Sequence, residues 1–339
     1  RDAASDTFIE WQPVRALLAF AVVTPSAALA AAALPPAAYG QFAPVDPASP
    51  NAEGIRDSYL FISIFVVAIF VLVEGLLISF VWKYRRQRRD RFEDGVQIHG
   101  STRLELMWTA APVVVLVAIA TFVFVELPGI TDVPEAGASD SLEVQVTGRQ
   151  FYWQYEYPNG VVAIDRLRAP QGVPVRLEIE APDDDVVHSW WIPALGGKID
   201  AIPGTVNATG FEAEKTGIFR GQCAELCGIE HANMLAEVEV LPEFEFRAWL
   251  EERDAAQAEG TSELGAETWN GVCAKCHGPE GEGGVARRIA GSAVLSDAAA
   301  VEDIVRNGRR TMPPVGAGWS EEQIEALTTY LRESPPSGS

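Results

Sequence analysis

The chain has 339 residues, with 26 Lys and Arg against 47 Asp and Glu, for a formal charge of −21. That length allows two or three domains, and the acidity argues against nucleic-acid binding, which would show a basic face. Residues 131–262 hold 9 basic and 24 acidic side chains, so the middle of the chain concentrates the negative field, either to steer a cationic partner or simply as a solvated surface.

Ala16–Ala33 is an Ala-rich apolar run behind Arg15, and it ends in "PPAAYGQF" with small residues at Ala38 and Gly40. This reads as a signal peptide over 1–40, cut near Gly40–Gln41; a third span suits it less, because Pro25 interrupts the run. Tyr59–Trp82 and Trp108–Leu127 are almost wholly apolar, and about 20 such residues cross a hydrocarbon core of about 30 Å. "KYRRQRRDRFEDGVQIHGSTR" lies between them, and short basic loops stay cytoplasmic. Residues 41–130 therefore predict a transmembrane hairpin with helices at about 59–82 and 108–127, leaving everything beyond Leu127 periplasmic or extracellular. Glu74 lies inside the first span, where a carboxylate should face a partner protein or be protonated. On the residues alone, Glu105 is an interfacial charge, and His99 and Met107 need no special role.

From Leu142 the period changes to two. "LEVQVTGRQFYWQYEY", "VPVRLEIEA" and "MLAEVEVL" alternate between turn-rich stretches, which predicts an antiparallel sandwich or barrel over 131–245. Phe151, Trp153, Tyr155 and Tyr157 share one strand face, opposite Tyr152, Gln154 and Glu156.

Residues 221–234, "GQCAELCGIEHANM", gather Cys223, Glu225, Cys227, His231 and Met234, and His188 stands 35 residues upstream of Cys223 in "DDDVVHSWWIP". A closed zinc site would use two Cys and two His and leave Met234 idle; a reactive cysteine pair would need no metal at all. Thiolate, thioether and imidazole together point to copper. One blue copper needs a single Cys, whereas two thiolates can bridge two ions. Each ion would then take one histidine, His188 or His231, with Met234 and the Glu225 carbonyl as weak ligands.

This pattern resembles the binuclear copper motif of cytochrome c oxidase subunit II. "GRQFYWQYEY" is similar to that family's aromatic strand, "HSWWIPALGGKIDAIPG" to its first ligand loop, and the hairpin to its anchor, so that the resemblance covers about 50–245. It implies a cupredoxin-like Greek-key barrel on a two-helix anchor, docked on a catalytic subunit with haem a and a haem–copper oxygen-reducing centre. It implies a magnesium ion at the Glu225 side chain on that boundary, a proton-path entrance at Glu105 and a polar interface residue at Asp200. Where the family has a tryptophan that receives electrons from soluble cytochrome c, this chain has Phe151, followed by Tyr152 and Trp153.

Residues 246–262 form a polar, helical connection to "AETWNGVCAKCHGPEG". C-x-x-C-H attaches haem c, through Cys273 and Cys276 with His277 on the iron. Met312, the only later methionine, suits the second axial position. The two arginines before it, Arg309 and Arg310, suit haem propionates, a partner or plain solvent equally well. Ser320–Gln323 forms a capping box ahead of a helix with Ile324, Leu327 and Leu331 on one face. Residues 263–339 form the last expected domain, and about 263–335 resemble a small class I cytochrome c.

The expected whole is a two-helix transmembrane hairpin, an all-β cupredoxin-like Greek-key barrel and a small all-α cytochrome c domain. Its expected role is electron input to a haem–copper terminal oxidase in a bacterial inner membrane, from cytochrome c or a cytochrome bc complex through haem c and a binuclear copper centre to the catalytic subunit, with further oxidase subunits. The alternatives are the input subunit of a copper-containing nitric oxide reductase and a copper carrier or sensor. A quinol oxidase subunit would lack the copper ligands.

Overall fold

The two apolar runs fold as α1 (Pro50–Tyr84) and α2 (Thr102–Ile130), in a computed structural model that describes residues 44–85, 97, 99–258 and 262–337. The leader expected over 1–40 and most of the basic loop lie outside the described residues. Both helices outrun their apolar stretches. The 35 residues of α1 rise about 52 Å, more than a hydrocarbon core of about 30 Å. The stretch of α1 from Ile62 onward belongs to a separate compact unit, and its side chains, Glu74 among them, are mostly exposed. Exposed apolar side chains such as Phe70, Val81 and Phe124 suit lipid. The extra turns of α1 and α2 are fastened at their outer ends. Ser49 Oγ donates to the Leu195 carbonyl at 2.7 Å, and Asn51 Nδ2 to the Ile130 carbonyl at 3.1 Å.

The alternating segments form ten strands: β1 (Leu142–Arg149), β2 (Tyr152–Glu156), β3 (Val162–Ile164), β4 (Arg166–Pro170), β5 (Pro174–Glu180), β6 (His188–Trp191), β7 (Ile199–Ala201), β8 (Asn207–Glu212), β9 (Gly217–Cys223) and β10 (Leu235–Leu241). They assemble as two five-stranded sheets, ordered β3-β2-β1-β5-β8 and β4-β10-β9-β6-β7. Alternation becomes burial: in β5, Val175, Leu177 and Ile179 are buried between exposed or half-buried polar neighbours. The expected antiparallel pairing holds for most of the strand pairs, with two exceptions. β1 pairs with β5, and β10 with β4, in parallel. Each of those pairs is separated by long intervening chain, which permits the crossover that parallel strands require.

The connection after β10 is helix α3 (Glu243–Ala258), laid on the strands rather than in solvent. Phe246 and Trp249 pack on Tyr157, and the Arg168 guanidinium stacks over the Trp249 ring at 4.8 Å. The Gln257 side chain bonds both the N–H (3.0 Å) and the C=O (2.7 Å) of Val162, which covers an edge strand that would otherwise offer unpaired groups.

The C-terminal region is helical: α4 (Ser262–Thr268), a π turn at Trp269–Cys273, α5 (Ala274–His277), α6 (Ala298–Asn307) and α7 (Glu321–Glu333). Ser320 Oγ caps α7 by accepting from the Gln323 N–H at 3.2 Å, and Ile324, Leu327 and Leu331 are buried. The core of this region includes Tyr152, Val162 and Ile164 from β2 and β3. Tyr152 OH donates to the Val315 carbonyl at 2.7 Å and accepts from Trp319 Nε1 at 2.9 Å.

A fully buried Tyr152 makes a sharp test. Tyr152→Phe leaves Trp319 Nε1 and the Val315 carbonyl unpaired and should cost about 1–3 kcal/mol. Tyr152→Ala should cost about 3–5 kcal/mol. Both would be read as lowered thermal melting of the detergent-solubilised chain.

Candidate metal centre and haem-attachment site

His188 opens β6, Cys223 closes β9, and Met234 directly precedes β10, so the ladder pairing these strands brings distant ligands together. Cys223 N–H donates to the Met234 carbonyl at 2.8 Å, and Ala224 N–H to the Ser189 carbonyl at 2.8 Å. The ligand atoms of His188, Cys223 and Cys227, all buried, lie within 4.8 Å of one another. The two sulfurs are 3.9 Å apart. His231 Nδ1 stands 3.6 Å from Cys227 Sγ, Met234 Sδ 3.8 Å from the same sulfur, and the Glu225 carbonyl 3.2 Å from Cys223 Sγ. The His231 imidazole thus lies beside Cys227, while His188 interacts with Cys223.

His188 is aimed by its surroundings. Its Nε2 faces Asp185 Oδ1 at 3.2 Å, and its ring meets Trp153 edge-on at 6.0 Å between centroids. Gly148 makes room for both, since a Cβ there would lie 2.8 Å from Trp153 and 3.3 Å from His188. His188 Nδ1 is buried without a hydrogen-bond partner. A buried imidazole nitrogen without a partner is costly unless something binds it, and His188 offers a ligand atom within 4.8 Å of both sulfurs, so the donor set fits a soft metal.

The electrostatics favour anionic sulfur. Interaction with Cys227 pulls the Cys223 thiol down to about 3, and His188 and the Glu225 backbone assist. Cys227 moves upward for the complementary reason, because it keeps the shared proton. Burial pulls the His188 imidazole down, but Asp185 and Cys223 outweigh it and the net shift is upward. Burial also raises the Asp185 carboxyl, yet His188 and the N–H groups of Val186 and Gln150 leave it lowered overall.

The Glu225 side chain is half exposed and points away from the sulfurs, 3.7 Å from Lys198 Nζ. Lys198 also reaches Asp200 at 3.3 Å, and Asp200 accepts from Ser189 Oγ at 2.7 Å. Glu105 is nowhere near this cluster: it lies in the first turn of α2, at the end of the helix remote from the strands.

In the C-x-x-C-H segment Cys273 is half-buried, and desolvation pushes its thiol up to about 12. His277 Nδ1 lies 2.8 Å from the Arg287 carbonyl, which fixes the ring and reserves Nε2 for a ligand. Met312 packs against the core of this region, in a tight turn whose N–H and C=O exchange bonds with Arg309 at 3.0 Å each.

The aromatic strand lies between the two sites. The Phe151 ring presses on Gly228 of the sulfur loop, 2.9 Å from where a Cβ would stand. Gln150 Nε2 donates to the Cys227 carbonyl at 2.7 Å. Asp185, Gln150, Asp165 and Lys275 were not singled out by sequence reasoning. Only Asp185 carried a local signal, three residues ahead of His188.

The comparisons with known proteins follow the same division. The family model for the transmembrane domain of cytochrome c oxidase subunit II matches residues 37–125, that for its periplasmic domain residues 161–241, and that for subunit III of cbb3-type cytochrome c oxidase residues 260–331. Cytochrome c oxidase subunit 2 of Alkalihalophilus pseudofirmus is 34% identical over 312 residues, which span 85% of this chain and 89% of that protein. The chain belongs to the cytochrome c oxidase subunit II family. The Cereibacter sphaeroides subunit 2 is 34% identical over 256 residues, 65% of this chain and 82% of that one. The crystal structure of the periplasmic domain of subunit II of cytochrome oxidase from Bradyrhizobium japonicum aligns at 35% identity, covering 37% of this chain and 98% of that one, with a TM-score of 0.34. As a subunit II with a cytochrome c domain, the chain serves electron input to a haem–copper oxidase, on a membrane anchor with a periplasmic domain. A nitric oxide reductase subunit or a copper carrier is not favoured.

Asp185→Asn drops the charge facing His188 Nε2 and keeps one acceptor oxygen of the two that the Val186 and Gln150 N–H groups use. Copper affinity should fall about 10- to 100-fold, measured by competition with a chelator, with unchanged circular dichroism.

Proposed function

We propose that electrons reach this chain at a haem held in its C-terminal region and leave it from a copper pair held in its β domain. The carrying observation is the paired geometry of the sulfur loop, two buried sulfurs 3.9 Å apart with an imidazole beside each. Cys223, Cys227, His188 and His231 would hold the two ions, with Met234 Sδ and the Glu225 carbonyl as weak ligands. Cys273 and Cys276 would hold haem c covalently, and His277 and Met312 would be its iron ligands. When bound, the two groups supply one-electron redox chemistry with little change of geometry.

The protein's own contribution is to hold these ligands rigid and dry. Asp185 orients His188, Gly148 admits its ring, and the backbone bonds of Cys223 and Ala224 fix the sulfur loop. We assign the half-exposed Glu225 carboxylate to a magnesium ion at the boundary with the catalytic subunit, with Asp200 and Lys198 beside it. Glu105, exposed at the opposite end of α2, is the candidate proton-path entrance. The donor is a reduced cytochrome c or a cytochrome bc complex, and the setting is a bacterial inner membrane. Phe151 is half-buried and its carbonyl is bonded to Lys275, between the haem-attaching cysteines, so a soluble donor would meet the haem region rather than the aromatic strand.

Cys223→Ser in the purified oxidase should abolish oxygen uptake and the near-infrared band of the copper pair. The haem c absorption band and its reduction by cytochrome c should persist. Intact oxygen uptake and haem c oxidation in this variant would sink the reading.

A further inference from the structure

We infer that Lys275, between the two haem-attaching cysteines, is a positioning residue that clamps the haem-bearing loop onto the strand beside the copper loop. The two redox sites then keep one fixed separation instead of meeting by a tethered search. This rests on the reading that Cys273, Cys276 and His277 hold haem and that Cys223 and Cys227 hold copper.

Lys275 Nζ donates to the Phe151 carbonyl at 2.8 Å and to Asp165 Oδ2 at 2.6 Å. Both acceptors belong to the β domain. Its side chain is only 13% exposed, and a desolvated ammonium needs such acceptors. Asp165 is built to receive it. Its backbone is left-handed, with φ 60°; its N–H donates to the Trp153 carbonyl at 2.8 Å; and its other carboxylate oxygen accepts from the Trp153 N–H at 3.0 Å. The carboxylate is thereby locked to β2 with one oxygen turned to Lys275. Burial raises the Asp165 carboxyl more than Lys275 and the Trp153 N–H lower it, so the pair is held against a desolvation cost. Such a pair adds little net stability but specifies one arrangement.

The contact continues to the copper side. Phe151 is bonded through its carbonyl to Lys275, and the preceding residue, Gln150, donates its side-chain N–H to the Cys227 carbonyl. Chain next to a haem-attaching cysteine is thus linked to a copper-holding one through a single dipeptide. The surroundings leave no slack: a Cβ on Gly271, in the turn leading to Cys273, would lie 2.5 Å from Ile164 Cγ2. The transfer so positioned moves one electron from the haem site to the copper site, and no atoms.

A tether alone gives a high effective concentration but leaves docking to surface charges that salt screens. A buried clamp predicts transfer insensitive to salt. In the purified oxidase, Lys275→Met should slow haem-to-copper transfer after photoreduction about tenfold or more, and make it salt-dependent. It should also raise hydrogen–deuterium exchange about tenfold in both 151–156 and 269–277. Asp165→Asn, which keeps an acceptor for the Trp153 N–H and lies outside the haem motif, should act in the same direction, and the double variant should be no worse than the more severe single. Native exchange and native, salt-independent transfer in Lys275→Met overturn the clamp; if that variant loads haem poorly, the same two readouts on Asp165→Asn decide. Missing haem or copper bands in the unmodified oxidase would instead overturn the cofactor assignment, and the exchange measurement would still judge the clamp.

Discussion

Strand β2 buries one face and, at Tyr152, the start of the other, and much else depends on that. A strand alternates its side chains, so an exposed strand needs only one apolar face. Here Trp153 and Tyr155 point into the β domain, where Trp153 backs the His188 ring. Tyr152 points the other way, into the core of the helical region against Trp319. A five-residue strand therefore belongs to two cores at once. Displacing it would disturb the histidine on one side and the packing of the haem-bearing helices on the other.

The same economy governs the charges. The chain is strongly acidic, yet carboxylates near the candidate redox groups have specific partners. Asp185 faces His188, Asp165 takes Lys275, and Asp200 and Glu225 share Lys198. Arg253, almost fully buried, meets Glu263 and Glu267 at the junction of α3 and α4. Buried charges of this kind contribute little net stability once desolvation is counted, but removing one partner is expensive. Their effect is to fix where the helical region sits. The remaining exposed acid is free to act at long range on a cationic partner.

The local parts of this organisation were legible in the sequence. Cys223, Glu225, Cys227, His231 and Met234 lie within one loop, and their spacing reports their chemistry because no long-range pairing is needed to bring them close. The C-x-x-C-H motif and the Ser320 cap are local in the same sense. The period-two segments announced strands, but not that β1 lies parallel to β5, since register between distant strands leaves no mark in either one. The apolar runs marked only the lipid-facing parts of α1 and α2. Their polar ends are helical because Ser49 and Asn51 bond to the Leu195 and Ile130 carbonyls. The junction itself was hidden for the same reason. Lys275 and Asp165 are 110 residues apart, and each looks like an ordinary surface charge until the fold joins them. Tyr152 was placed correctly on the face opposite Trp153, yet nothing local shows that this face is covered.

Phe151 gains its meaning from that cover. A tryptophan that accepts electrons from a separate cytochrome has to be presented to solvent, with its edge available to a transient partner. Phe151, at the position where the resemblance implies that tryptophan, is half-buried, with its ring against Gly228 and its carbonyl bonded to Lys275. An indole's N–H would have to find a partner if buried there, whereas a phenyl ring brings no polar atom to satisfy. Phe151 therefore fits a position whose carbonyl is held by Lys275 and whose ring packs, half-buried, against the β-domain core.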